Sequence, residues 1–205
     1  MSKTVKINIE LAVLFAFLFA VVLSFAGFDS DCDKLRQGVL RLHVIANSDS
    51  EADQELKLKV RDAVLETAAE DFKGCTTVQS AETAARNDID KITEAANAVI
   101  KENGFSYNAK VSVKDEYFDT REYDKFTLPA GNYTSLVVRL GEAEGHNWWC
   151  VVFPGVCLPT AEDRETLEKS VDDSAAKVAY NADKYIVKFK TAEIYERIKA
   201  AFAKK

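Results

Sequence analysis

The sequence has no basic stripe that could hold a nucleic acid. Lysine and arginine total 27, against 33 aspartate and glutamate residues, which gives a net charge of −6. If the first 26 residues are removed, two lysines and one glutamate go with them, and the net charge becomes −7. Such an acidic domain would be repelled by nucleic-acid phosphates and by anionic lipid headgroups. The composition therefore predicts no nucleic-acid partner and favours a protein partner.

Histidine is also scarce, and this argues against a metal centre. His43 and His146 are the only histidines, and no HExxH motif or similar ligand spacing surrounds them. Glu142 and Glu144 could join them around a zinc ion, which accepts histidine nitrogen and carboxylate oxygen. Both carboxylates lie in a glycine-flanked loop, however, where charge is common without a metal. No metal site and no cofactor are predicted.

The N-terminus carries a membrane-targeting pattern. Lys3 and Lys6 precede an apolar run over residues 11–28, and such positive charges stay on the cytoplasmic side. Small residues before and at Ala26 suit cleavage by a signal peptidase, yet the run is also close to the length of a membrane-spanning helix. We therefore interpret residues 1–28 as a signal peptide or membrane anchor, and residues 29–205 as an extracytoplasmic domain.

Four cysteines follow the targeting segment, and an exported protein can use them in disulfides. Three pairings are possible, of which we favour Cys150–Cys157 and Cys32–Cys75. The first pair would close a short loop, and the second would tie the N-terminus of the domain to its helical region. The alternative is four free thiols, because an exported domain of this size need not have disulfides.

Hydrophobic periodicity predicts an α+β domain. Alternating or β-branched apolar residues predict strands at 40–46, 107–113, 134–140 and 149–153. Apolar residues at spacings of three and four, from Leu56 to Phe72, predict one face of a helix that follows the polar turn after the first strand, and a second helix is predicted from about Val78 to Asn103. The expected architecture is a mainly antiparallel sheet with helices packed on one face.

A polar turn follows the first predicted strand. Ser48 with Glu51, or Ser50 with Asp53, can form a capping box for the next helix. Asp49 and Asp53 could also act as paired carboxylates. Acidic residues at a helix N-terminus are already favoured by the helix dipole, so we prefer the capping interpretation.

The C-terminal region has a weaker pattern. Residues 160–183 are polar, acidic and rich in alanine, which predicts a mobile insertion of low stability with at most a short helix near Leu167. Residues 185–189 predict a last strand, and residues 194–202 predict a last amphipathic helix.

His146 and Cys150 could form the thiolate–imidazole pair of a cysteine hydrolase. Two features argue against this alternative. Cys157 is close enough to take the thiol into a disulfide, and Cys150 lies in an apolar, strand-like segment rather than at a helix N-terminus that would lower its pKa. We therefore predict no catalytic residues.

The segment from Glu142 to Cys157 is the most unusual in composition. It contains two adjacent tryptophans beside a glycine-containing loop, and tryptophan is enriched among the residues that dominate binding energy at interfaces. The tryptophans could equally belong to the core. As partner-binding residues we predict His146, Asn147, Trp148, Trp149 and Phe153.

Three blocks of sequence resemble a known family. Leu40-Arg41-Leu42-His43-Val44-Ile45-Ala46-Asn47-Ser48-Asp49-Ser50 continues through residues 53–64, Leu128-Pro129-Ala130-Gly131-Asn132-Tyr133 follows, and Gly145-His146-Asn147-Trp148-Trp149-Cys150-Val151-Val152-Phe153-Pro154 completes the set. Over about residues 38–158, these blocks resemble stage II sporulation protein R in order and spacing. The family usually has a second proline where this chain has Gly155.

The resemblance implies a signalling protein of endospore formation. Members of that family are made in the forespore and secreted into the space between the two septal membranes. There they activate a membrane-embedded aspartic protease of the mother cell, which processes the sigma-E precursor. The resemblance implies no catalytic residues, and it predicts contact with a membrane only through the N-terminal segment if that segment is not cleaved.

Overall fold

A computed structural model describes residues 3–123, 126–155, 167 and 170–203. Within these ranges the chain forms six α-helices and one principal β-sheet. The helices are α1 (Lys3–Gln37), α2 (Glu51–Asp71), α3 (Val78–Asn87), α4 (Ile89–Glu102), α5 (Asp173–Tyr180) and α6 (Ile186–Ala203). The strands are β1 (Leu40–Ile45), β2 (Ala109–Phe118), β3 (Arg121–Glu122), β4 (Thr127–Leu128), β5 (Gly131–Leu140) and β6 (Asn147–Phe153). The predicted α+β class is confirmed.

The principal sheet has the order β2-β5-β1-β6, and β3 pairs with β4 in a separate two-stranded sheet. β1 runs parallel to β5 and antiparallel to β6, while β2 and β5 are antiparallel, so the sheet is mainly antiparallel as predicted. Strand β1 lies between two neighbours and is buried along its whole length. Because β1 is a central strand, none of its side chains is exposed on either face of the sheet.

Helices α2, α3 and α4 cover one face of the sheet, as the sequence predicted. Their apolar residues pack with alternate residues of β1, among them Leu42 and Val44. The opposite face carries a second helical layer, which the sequence did not predict. There Phe28, Leu35 and Val178 pack with strand residues such as Val151. Layers of helices on both faces therefore bury the sheet.

Helix α1 combines two environments in one continuous helix. It is long and apolar enough to cross a membrane. Its most apolar stretch of 18 residues has a mean hydropathy of 2.7, and only 6% of that stretch is buried. A signal segment or a membrane anchor would both have this character. Burial begins at Phe28 and includes Cys32 and Leu35, so the same helix continues into the folded domain. The predicted boundary at residue 28 marks a change of environment and not the end of a helix.

Two predicted elements in the helical regions were wrong in form. The single helix predicted from Val78 to Asn103 is interrupted at Asp88, whose backbone lies outside the helical region. Asparagine and aspartate compete for backbone hydrogen bonds and favour helix ends, so Asn87-Asp88 allows the change of direction. The strand predicted at 185–189 is helical, because Phe189, Ala192 and Glu196 are buried at the spacing of a helix.

The segment predicted as a mobile insertion is only partly described. Residues 156–166 lie outside the described residues, but residues 173–180 form α5, capped by Asp172. Ala175 and Ala179 are fully buried in the layer that contains α1. Small alanine side chains let two helices approach closely, so this composition indicated packing and not only a polar linker.

The Cys32–Cys75 disulfide prediction is wrong. Both residues have free thiols, with Cys32 buried among the residues of the α1 layer and Cys75 packed against the α2–α4 layer. A disulfide needs Cα atoms about 6 Å apart, and here the sheet separates the two side chains. The other predicted pair includes Cys157, which lies outside the described residues.

Alkylation of the full chain checks this assignment. Without reductant, iodoacetamide is expected to label Cys32 and Cys75 in the unfolded protein, whereas Cys32 in the native protein should stay unlabelled because it is buried. Peptide mass spectrometry measures both states. A peptide pair linked through these two cysteines in unreduced protein would contradict the structure.

Candidate partner-binding site

The turn between β1 and α2 is organised by Asp53. Ser50 caps α2 by accepting a hydrogen bond from the Asp53 amide, which selects one of the two predicted caps. The Asp53 carboxylate in turn accepts hydrogen bonds from Ser48 Oγ, from Asn47 Nδ2 at 2.9 Å and from the Tyr107 hydroxyl. Burial alone would raise the pKa of Asp53, but these hydrogen bonds outweigh burial and hold the pKa below its usual range. Asp53 is therefore a buried carboxylate that fixes the turn.

The loop between β5 and β6 lies directly on this turn. The amide of Gly145 donates to the carbonyl of Ala46 at 3.0 Å, and the amide of Glu144 donates to the carbonyl of Asn47 at 3.2 Å. The Asn47 side-chain oxygen also accepts from the amide of Glu142 at 3.0 Å. We call residues 46–50 and 141–147 together the paired-loop platform. Its two segments are joined through their backbones, so neither is an independent flexible loop.

Two glycines make this close approach possible. A Cβ atom on Gly145 would lie 2.2 Å from the carbonyl oxygen of Ser48. A Cβ atom on Gly141 would lie 2.2 Å from the Asn47 side-chain oxygen, and Gly141 also has a positive φ of 53°. The absence of a side chain at these two positions therefore lets one loop lie against the other.

His146 is presented at the outer side of the platform. Its side chain is 78% exposed, and its Nδ1 atom contacts the carboxylate of Asp49. The same carboxylate accepts from the His146 amide at 2.6 Å, and this backbone hydrogen bond is the main reason that the pKa of Asp49 is lowered. Lys57 completes the arrangement by donating to the His146 carbonyl at 3.0 Å. The imidazole is thus exposed to solvent but held in one orientation.

The rest of the exposed platform is acidic. Asp49, Glu142 and Glu144 are all exposed, and Asn147 adds an exposed amide at the start of β6. Among the described residues of the platform there is no lysine or arginine. A partner with cationic groups would complement this surface.

The two tryptophans point to opposite faces of β6. Trp148 packs against the α2–α4 layer, and Arg61 lies 4.4 Å from its ring. Trp149 stacks on His43 with ring centroids 3.7 Å apart and meets the Phe118 ring edge-on at 4.8 Å. Both are half-buried, so each has a structural role and retains some exposed surface.

Phe153 lies apart from the other predicted contact residues. It is buried at the far end of β6 from the platform, and its ring meets the Phe72 ring edge-on. A strand of seven residues separates the two ends by about 20 Å. His146 and Asn147 lie on the platform, Trp148 and Trp149 lie next to it, and Phe153 belongs to the core.

His43 is a residue whose role the sequence did not reveal. Its ring is buried, with Nδ1 2.7 Å from Glu116 Oε2 and Nε2 2.9 Å from Asn147 Oδ1. Burial would raise the pKa of Glu116, but hydrogen bonds from His43 and Lys114 hold it below its usual range. His43 therefore connects β2 to the first residue of β6 and supports the platform from beneath.

The structure does not form the predicted alternative hydrolase pair. Cys150 is buried on the face of β6 that packs against α2–α4, whereas His146 is exposed and its Nδ1 contacts Asp49. Four residues of extended chain place their Cα atoms about 13 Å apart. Among the described residues, no three His, Cys, Asp or Glu side chains form a group that could hold a metal ion.

Residues 36–163 match the family model described as stage II sporulation protein R. The chain belongs to the stage II sporulation protein R family. The matched range includes β1, the whole paired-loop platform and β6, which places the site within the part that defines the family.

A member of the stage II sporulation protein R family from Bacillus subtilis (strain 168) is 33% identical over 138 residues. The aligned part covers 67% of this chain and 62% of that relative, so the chain spans about three fifths of the relative's length. No solved structure matches the chain. Family membership supports a role in sporulation, and the N-terminal apolar helix is compatible with a signal segment or membrane anchor.

Proposed function

We propose that this protein is an exported signalling protein of endospore formation that binds and activates a membrane-embedded aspartic protease. That protease would process the sigma-E precursor. The protein would reach it by secretion across the forespore membrane into the intermembrane space. The paired-loop platform is the proposed contact surface. In this role the chain acts by binding and performs no chemical step of its own.

The observation that carries the proposal is the rigidity of the platform. Two loops that are distant in sequence are held together by backbone hydrogen bonds and by the buried Asp53 carboxylate. A preorganised surface loses little conformational entropy when it binds, so more of the contact energy appears as affinity. Exposed His146 and Asn147 sit on this support with fixed backbones.

The charge of the platform indicates the chemistry of the partner. Exposed carboxylates at Asp49, Glu142 and Glu144 would attract lysine or arginine on an extracytoplasmic segment of the protease. Such rim charges mainly raise the association rate, and salt screens them. Activation should therefore weaken as ionic strength rises.

The decisive experiment adds purified full chain to membranes that carry the protease and its precursor. For His146→Ala we expect the concentration that gives half-maximal cleavage to rise about thirtyfold, the effect of losing ~2 kcal/mol of binding energy. The melting temperature should stay close to that of the parent, because the His146 side chain is mostly exposed. Cleavage of the precursor and thermal melting are measured on the same samples.

Charge is tested separately by Glu142→Gln with Glu144→Gln, which keeps the size of both side chains. The matched control is Glu66→Gln, an exposed glutamate of α2 that lies about 20 Å along the helix from Asp53. Only the platform variant is expected to need more protein for cleavage and to lose part of the salt dependence. If both platform variants activate like the parent, the contact surface lies elsewhere on the protein.

A further inference from the structure

The end of the chain differs in charge from the rest. From Lys184 to Lys205 the sequence contains seven lysine or arginine residues and two glutamates, a net charge of +5. The whole chain has a net charge of −6, so the preceding residues together carry −11. The acidic composition of the protein therefore conceals a basic C-terminal segment, most of which is α6.

Helix α6 has two apolar faces, of which the protein covers only one. Phe189 and Ala192 are buried in the α1 layer. Elsewhere on α6, five large apolar side chains are each more than half exposed: Ile186, Val187, Ile194, Tyr195 and Ile198. Within the described residues nothing covers them.

The two acidic residues of α6 do not contribute to this open face. The side chain of Glu196 is 7% exposed and lies 3.9 Å from the Arg36 guanidinium. The side chain of Glu193 is 14% exposed and forms an ion pair with Arg197 at 2.8 Å. Lys190 lies 3.6 Å from Glu193 and Lys199 lies 3.5 Å from Glu196, but both lysine side chains remain largely exposed. The open face of α6 is thus apolar and positively charged.

The start of α6 lies beside the point where α1 leaves its apolar segment. Lys188 Nζ donates to the hydroxyl of Ser24 at 2.8 Å and to its carbonyl at 3.2 Å. All of the large apolar residues of α1 before Ser24 are exposed, whereas Phe28 is buried. Ile186 and Val187 immediately precede the lysine that makes this contact, so they lie close to the membrane-compatible part of α1.

We propose that the first turn of α6 rests on the membrane entered by α1, on the exported side, while the rest of the helix rises along α1 towards Arg36. Ile186 and Val187 would enter the boundary between headgroups and acyl chains, and Lys190 would contact anionic phosphates. A second copy of this chain is a poorer occupant, because the same positive charge would then face itself. The proposal requires α1 to be retained in the membrane and does not depend on protease activation.

The test uses the full chain inserted in lipid nanodiscs whose acyl chains carry bromine, which quenches nearby tryptophan. Val187→Trp places a probe on the open face of α6. Leu58→Trp is the control, because Leu58 is an exposed apolar residue of α2 on the opposite side of the sheet. The signal from Trp148 and Trp149 is subtracted by means of the parent protein.

The fluorescence added by Val187→Trp is expected to be lost in brominated discs and kept in unbrominated discs, while that of Leu58→Trp is kept in both. The loss should be larger in discs of phosphatidylglycerol than in discs of phosphatidylcholine, and Lys190→Glu should reduce it. Equal quenching of the two probes would overturn the proposal. Shielding of the Val187→Trp probe that appears only with two proteins per disc would also overturn it, in favour of a second copy.

Discussion

Asp53→Ala is expected to lower the free energy of unfolding by about 3 kcal/mol, because it leaves several buried donors without an acceptor. The donors are the hydroxyls of Ser48 and Tyr107 and the amide of Asn47. Asn47 also accepts from the Glu142 amide, so its release should loosen the second loop of the platform. Chemical denaturation measures the stability, and precursor cleavage measures the proposed function.

The loss of stability caused by Asp53→Ala should depend on pH, and the lowered pKa of Asp53 fixes the direction of that dependence. The pKa of Asp53 is lowered in the folded state, so its stabilising contribution is complete above the unfolded-state pKa of about 3.9 and is lost as pH falls through the lower folded-state value. The difference between parent and Asp53→Ala should therefore be constant near neutral pH and shrink in acid. Equal differences at neutral and strongly acidic pH would contradict the assigned role.

Asp62→Ala is the matched control for Asp53. Asp62 lies in the same helix, its side chain is 64% exposed, and its ion pair is with the adjacent Arg61. Exposed ion pairs of this kind contribute about 0–1 kcal/mol. Stability and cleavage should both stay near parental values. A comparable loss in both variants would mean that α2, and not the platform, is responsible.

Arg41 gives the second large expected effect, and its sign depends on the replacement. The side chain is fully buried, with its guanidinium carbon 3.9 Å from the Phe118 ring centroid and 5.0 Å from that of Tyr133. One nitrogen donates to the Tyr123 hydroxyl at 2.7 Å. Among the described residues, no group accepts a hydrogen bond from Nε or Nη1. A buried charge is thus held by aromatic rings without a carboxylate contact in that part of the chain.

Arg41→Met is expected to raise the free energy of unfolding by about 1–2 kcal/mol, because an apolar side chain of similar length avoids the desolvation of the charge. Arg41→Ala is expected to lower it by about 3 kcal/mol, because it leaves a cavity. The control is Arg139→Met on the neighbouring strand β5, where the arginine is exposed and the change should be within ±0.5 kcal/mol. Denaturant titration distinguishes the variants. A loss for Arg41→Met equal to that for Arg41→Ala would show that the charge itself is stabilising.

Local pattern was sufficient to predict most of the elements around the site. Strand β1 and helix α2 follow from alternation and from helical spacing, and the Ser50 cap was one of two options. The break at Asp88 and the helical state of residues 185–189 were missed for a common reason. A few residues can fit both the period of a strand and the period of a helix. Only tertiary contacts decide which one forms, and here the burial of Phe189 and Glu196 selects the helix.

The second helical layer was missed because of the polar residues of β1. Arg41 and His43 alternate with apolar residues, a pattern that normally indicates a solvent-exposed face. Here an aromatic environment accommodates Arg41, and Glu116 and Asn147 pair with His43, so the face is buried. These partners are distant in sequence, and no local signal indicates them.

The contacts that form the paired-loop platform also could not be predicted from local sequence. The sequence drew attention to His146, Asn147 and the tryptophans, but not to the turn against which they are held. Gly145 is required by the carbonyl of Ser48, almost one hundred positions earlier in the chain. The net charge of the whole chain was an incomplete guide in the same way. Its value of −6 hides the net charge of +5 on residues 184–205.

The continuity of α1 determines how a retained anchor would control the domain. The helix has 35 residues, a length of about 52 Å, and Phe28, Cys32 and Leu35 fasten its second half into the core. A flexible tether would let the domain rotate and rise freely above the membrane. A rigid shaft instead transmits the tilt of the membrane segment to the domain, so the platform would search for its partner by lateral diffusion at a fixed height. Cleavage after Ala26 would cut this shaft two residues before Phe28, and the same surface would then have to find its partner by diffusion in three dimensions.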